Sequence, residues 1–202
     1  MGQDSTEGIQ WDAVWEEDRY STPQLRLRKA RYKTELFESM GVDFADFDRI
    51  LDLGCGGGYI ACNIASKWNC KILAVDISES AIRIAKTKNR NERINYQLGD
   101  ARYTDLSGHR FDAVLLIGVL EHIDDASRVL RRVGELLKEN GKLLISSSNR
   151  YSIFFLQYQL YQLLGLWKYG YTKHYSRMEI QNLLKRHSFS IRDMRIVGCN
   201  GG

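Results

Sequence analysis

The chain has 202 residues, 44% of them hydrophobic and 27% charged, with a formal net charge of +4. That length is ample for one buried α/β core, and that balance excludes a largely disordered chain. The positive charge gathers in no tight run and matches no recognised module, so nucleic acid is not an expected partner.

The first ten residues, Met1 to Gln10, are polar and glycine-containing and are expected to be disordered. No basic-then-apolar leader with a small-residue cleavage site opens the chain, which favours a cytoplasmic location. Cys55, Cys62, Cys70 and Cys199 include no Cys-x-x-Cys pair and no clustered histidine, so neither disulfides nor structural zinc are expected.

Leu25, Tyr32, Leu36 and Phe37 recur at near-helical spacing and predict a helix over 24–40. A strand over 49–53 runs into a helix that reaches about Lys67, and a second strand covers 72–76. Ser78 then caps a helix whose Ala81, Ile82 and Ala85 face the sheet. Strands follow at 94–98 and 113–117. The next helix, about 126–137, stops before Asn140-Gly141, which reads as its C-cap. A strand at 142–148 completes the alternation. Such a βαβα rhythm predicts a doubly wound, mostly parallel sheet with helices on both faces, a Rossmann-like fold. Ligands of such sheets sit beyond the carboxyl ends of the strands, where Asp52, Asp76, Asp100, Ile117 and Asn149 fall together.

The stretch Ile50 to Gly58 reads Ile-Leu-Asp-Leu-Gly-Cys-Gly-Gly-Gly, a strand entering a glycine-dense turn. Glycines let backbone approach a ligand, and the helix after the turn directs free N–H groups and a positive dipole end towards it. Asp76 ends the second strand, where a carboxylate can accept both hydroxyls of a ribose. A dinucleotide fingerprint fits from Gly56 through Gly58 to Ala61, so spacing alone leaves NAD open. Asp52 favours another ligand: a carboxylate there would repel a pyrophosphate and attract a sulfonium or ammonium group.

From Asp52 to Gly58 the chain resembles motif I of the class I S-adenosylmethionine-dependent methyltransferases. Asp76 matches their ribose-binding acid, Gly99-Asp100-Ala101 the segment whose acid faces the adenine amino group, and Ile117 to Ile123 the segment after strand four. The resemblance spans 50–149 and implies cofactor contacts at Asp52, Gly54, Cys55, Gly56, Asp76, Ile77, Asp100, Ala101 and Ile117. It also implies S-adenosyl-L-methionine as cofactor, S-adenosyl-L-homocysteine as product, and contacts to the cofactor carboxylate near Tyr20 and Arg26. Leu120-Glu121-His122 and Ser148-Asn149-Arg150 are similar to segments of the ubiquinone-biosynthesis O-methyltransferase type. Some members of that type hold a divalent metal with a further glutamate, whose position is Gly118 here, so no metal site is assigned.

After Asn149, Tyr151, Phe154, Phe155, Tyr158, Tyr161, Trp167, Tyr169, Tyr171 and Tyr175 crowd together among five leucines. Gln157, Gln159 and Gln162 interrupt the run, which is too short to span a bilayer. It reads as a lid over a hydrophobic or lipid-like acceptor, or as ordinary core, and 151–171 is a candidate peripheral membrane contact. Lys168, Lys173, Arg177, Lys185, Arg186, Arg192 and Arg195 outnumber the nearby Glu179 and Asp193. Ser176 to Glu179 forms a capping box for a helix to about His187, and a strand is expected over 189–197.

One domain over 1–202 follows: an N-terminal helical region 1–48, a cofactor-binding core 49–149, an aromatic lid 150–175 and a closing helix and strand 176–202. The family's sheet has seven strands, so a chain ending at Gly202 looks cut short, or its sheet is completed in another way. An unpaired edge would favour self-association. Methyl transfer to a small or lipid-like acceptor, with oxygen one candidate acceptor atom, is the activity implied. Since the methyl group arrives activated, a base is needed only for a hydroxyl or protonated amine. His122, whose ordinary pKa lies near neutrality, is the first candidate and His174 the second. His109 and His187 read as solvent-facing. An NAD-dependent oxidoreductase and a non-catalytic S-adenosylmethionine-binding protein remain as alternatives.

Overall fold

The computed structural model describes residues 5–16, 22–167 and 169–197. Tyr20, Lys168 and Cys199 lie outside the described residues, as does the side chain of Phe154. Five strands form one parallel sheet: β1 (Arg49–Leu53), β2 (Lys71–Asp76), β3 (Ile94–Leu98), β4 (Phe111–Ile117) and β5 (Leu137–Ser146). Their order is β3-β2-β1-β4-β5, so the winding reverses between β1 and β4. The two crossover directions part there and leave a crevice at the carboxyl ends of these strands.

Side chains alternate across the sheet and build an apolar layer on each face. Ile50, Ile72, Ala74 and Leu115 meet α2 (Pro23–Ser39) and α3 (Tyr59–Lys67), together with α4 (Glu79–Lys88). Leu51, Leu53, Val114 and Leu116 meet α5 (Ala126–Leu136) and α7 (Arg177–Arg186). The same alternation that buries Ile50 puts Asp52 on its face, at the end of the strand. Caps follow the local sequence: Ser78 accepts from Ala81 N at 3.0 Å, and Ser176 with Glu179 forms the reciprocal capping box of α7.

Four expectations are corrected. Residues 5–10 are helical, as the first half of α1 (Ser5–Glu16), which Asp12 holds to the start of α4. The helix before β5 ends at Leu136, and β5 begins at once, opposite Phe111. Asn140, with φ 62°, therefore sits in a register shift of β5 and caps no helix, while Ser147 and Ser148 fall beyond the strand. Residues 189–197 form no strand: Ser188 turns the chain through φ 63°, and Phe189 N bonds back to Leu184 O. Phe189 and Ile191 then pack against the α5 layer, and Arg195 ties the segment to Ser39 through its carbonyl at 2.9 Å and hydroxyl at 3.1 Å.

The segment after β5 carries α6 (Ile153–Leu163) and returns across the sheet's carboxyl edge. Asn149 bridges Tyr175, Tyr175 N donates to Ser148 O, and Lys173 N donates to Glu121 O at 2.7 Å. Leu156, Leu160 and Leu163 of α6 stay exposed, Leu163 at 83%. No described helix is long and apolar enough to cross a membrane.

Candidate functional site

A cavity of about 430 Å³ opens at the reversal point between β1 and β4, a size suited to a cofactor-sized ligand. Its floor is the turn after β1. Gly54, at φ 76°, lies so close to Val119 that any Cβ would collide with that side chain. Gly56, at φ 53°, is covered by the Trp15 ring in the same way. These two positions demand glycine both for conformation and for space.

Asp52, Gly54, Cys55, Gly56, Asp76, Ile77, Asp100, Ala101 and Ile117 all line this cavity. The three acids are held differently. Asp52 is 2% exposed, and its Oδ2 is buried without a hydrogen-bond partner. Burial, and then the charge of Asp76, push its pKa up to about 7, against an opposing pull from Lys33. An unpartnered buried carboxylate oxygen is costly and calls for a cation.

Asp76 accepts Gly56 N at 2.7 Å on Oδ2 and Ser78 N at 3.0 Å on Oδ1. Burial raises its pKa, and those N–H groups counter the rise. Each oxygen keeps a further lone pair for a ligand hydroxyl. Asp100 lines the cavity with a partner already in place. Both its oxygens are taken by Arg102, with Nη2 to Oδ2 at 2.7 Å and the Arg102 backbone N to Oδ1 at 2.7 Å. Arg102 also reaches Asp124 at 3.2 Å. Asp100 thus stiffens the turn over 99–102, whose residues line the cavity.

Of the cover, sequence reasoning named only Arg26. Trp11, Val14 and Trp15 of α1 line the cavity, and so do Arg26, Lys29 and Lys33 of α2. Asp12 fastens α1 to the start of α4, accepting Ser78 Oγ at 2.6 Å and Ser80 N at 2.9 Å. Glu16 adds Ser80 Oγ at 2.8 Å and Arg83 at 3.3 Å. The Arg26 guanidinium lies over the Trp15 ring, 4.1 Å from its centroid. Two signals were legible: tryptophans four residues apart, and basic side chains at i, i+3 and i+7 of one helix.

His122 lines the cavity with Trp11 and Tyr169, at a short helical turn after β4. Burial lowers its pKa, while Glu121 and the Tyr171 carbonyl pull the other way. Neutral imidazole therefore prevails at neutral pH. Glu121 is 5% exposed, and its Oε1 accepts Ser148 N at 3.2 Å and Ser148 Oγ at 2.9 Å. Its carboxylate ties the segment just after β5 to the turn.

Two candidates fall outside the cavity lining. His174 is buried against Phe155 and Tyr158, at ring distances of 5.1 and 4.5 Å, so it belongs to the interior of the lid. Asn149 accepts Tyr151 N instead of facing the crevice. His109 stacks on Phe111 and meets Arg49 at 3.0 Å, and His187 follows α7 as its C-cap. Among the described residues no group of three or more His, Cys, Asp and Glu is placed to hold a metal ion.

Residues 51–145, the segment that builds this cavity's floor and back wall, match the family described as a methyltransferase domain. That segment is similar to methyltransferase domains. Across 103 residues it is 37% identical to the ubiquinone biosynthesis O-methyltransferase of Coxiella burnetii, covering 50% of this chain and 44% of that one. The methyltransferase of the same name from Bartonella tribocorum is 28% identical over 179 residues, covering 83% of this chain and 72% of the other. The match to the Coxiella relative thus spans under half of its length. A solved S-adenosylmethionine-dependent methyltransferase of Thermotoga maritima superposes with a TM-score of 0.71 at 19% identity, over 92% of this chain and 82% of that one. The methyltransferase fold therefore extends beyond the matched segment and takes in the lid region.

Proposed function

We propose that the protein transfers a methyl group from S-adenosylmethionine to a hydroxyl of a small, lipid-like acceptor. The observation that carries the cofactor is Asp52, a buried carboxylate with one unpartnered oxygen beside a glycine turn. A pyrophosphate would add like charge there, whereas an ammonium or sulfonium neutralises it. Asp76 fits ribose hydroxyls, and a basic side chain of α2 fits the cofactor's carboxylate.

When bound, the cofactor supplies an activated methyl group on a sulfonium centre. The chain's own residues supply alignment, a dry enclosure and a place for the acceptor's proton. Trp11, Trp15 and Tyr169 exclude water, and neutral His122 takes the hydroxyl proton. Oxygen as acceptor atom is supported by this neutral histidine and by the names of the O-methyltransferase relatives.

The exposed leucines of α6, together with the excess of Lys and Arg over 168–195, support a peripheral seat on an anionic membrane from which a lipid-like acceptor could enter. Titration calorimetry with S-adenosylmethionine and with NAD tests the cofactor; tighter binding of NAD overturns the reading. Transfer of labelled methyl to an alkylated catechol tests the reaction.

A further inference from the structure

The lid reaches His122 from behind. Nδ1 of His122 lies 3.4 Å from the Tyr171 carbonyl oxygen and 3.3 Å from Thr172 Oγ1. A carbonyl can only accept, so its place beside Nδ1 selects the tautomer with the proton there. Nε2 is then left with the lone pair that a base requires.

Thr172 is itself fixed by groups with no choice of role. The Trp167 indole N–H, donor only, reaches Thr172 Oγ1 at 3.2 Å and Gly170 O at 3.2 Å. Receiving that proton leaves the threonine hydroxyl hydrogen for Gly170 O at 3.5 Å and a lone pair for the imidazole N–H. From α6, Tyr158 OH donates to the Thr172 carbonyl at 3.1 Å, and Gln162 Nε2 donates to Tyr158 at 3.0 Å. Thr172 thus links α6, bonded to its carbonyl, with the imidazole, which meets its hydroxyl.

We propose that Thr172 is a positioning residue, which with the Tyr171 carbonyl holds His122 as the Nδ1–H tautomer and lets α6 govern the base. The catalytic part of this proposal rests on His122 being the base; the tautomer does not. The titratable groups around the ring are Glu121 on its own turn and Tyr171 and His174 on the lid, while α1 presents the uncharged Trp11.

Nitrogen NMR of the full chain labelled in histidine reads the tautomer directly, with His122→Gln used to assign the signal. The wild type near pH 8 is expected to show a protonated Nδ1 and a bare Nε2. Thr172→Val should mix the tautomers and lower kcat on an alkylated catechol about tenfold, with the S-adenosylmethionine dissociation constant unchanged. Thr172→Ser should restore both the tautomer and the rate. A wild-type ring protonated at Nε2 overturns the proposal, even if Thr172→Val does not fold. So does a folded Thr172→Val with the wild-type tautomer and rate. Full activity in His122→Gln would instead remove the base while leaving the tautomer result to stand.

Discussion

Trp11 meets His122 edge-on, with ring centroids 4.8 Å apart and planes at 77°. The residue that opens the chain's first helix to the cavity is therefore in contact with the group best placed to take a proton. Burial is the main cause of the low pKa of His122, and Trp11 contributes part of that burial. Trp11→Ala should return the His122 pKa towards its ordinary value, followed by NMR titration. No movement would mean that the lid alone shields the ring.

The pKa of Asp52 near 7 sets a pH window for cofactor binding. A cationic ligand prefers the ionised carboxylate, so affinity for S-adenosylmethionine should rise as pH increases through about 7 and fall below it. For the free protein the sign is opposite. A raised carboxyl pKa contributes stability below the unfolded value of about 3.9, and that stability is lost as pH climbs towards 7. The thermal shift caused by the cofactor should therefore be larger at pH 8 than at pH 6. In Asp52→Asn the shift should be small and flat across pH; a wild-type profile in that variant would remove Asp52 from the cation site.

His122→Gln tests proton transfer. Cofactor affinity should hold while transfer to a hydroxyl acceptor slows by roughly 10²–10⁴-fold. The wild-type rate should also fall as pH drops through the lowered histidine pKa, a limb absent from the variant. A variant within a fewfold of wild type at every pH would leave alignment and desolvation as the catalytic contribution.

Leu160→Glu with Leu163→Glu tests the apolar face of α6. Both side chains are exposed, so the fold and the S-adenosylmethionine dissociation constant should not change. Co-sedimentation with vesicles containing phosphatidylglycerol should be lost. Equal sedimentation of variant and wild type would show that α6 does not face the bilayer.

The turn after β1 was legible because its chemistry is local: glycines at 54, 56, 57 and 58 follow an apolar strand, and Asp76 ends the next one. The alternation of β1, β2 and β4 was legible for the same reason, since burial on both faces leaves continuous apolar runs. Helix α1 was not, because its residence depends on Asp12 and Glu16 meeting Ser78 and Ser80, more than sixty positions away. Residues 189–197 misled because Phe189 and Ile191 alternate like a strand while packing against helix α5. The ion pair of Asp100 was not read, although its partner, Arg102, is only two residues on.

The hook of Asp12 on the start of α4 separates what the sheet needs from what the ligand needs. Every described strand lies within 49–146 and its apolar layers draw on helices from α2 to α7, yet one wall of the cavity is carried by 11–15. A protein shortened to begin just before α2 would keep the sheet with both apolar layers and lose the roof over its ligand. Folding assays would then score it as intact while binding assays scored it as empty. Selection on this chain therefore acts through two nearly independent sets of positions, and tolerance to change in the first helix should follow ligand retention instead of melting temperature.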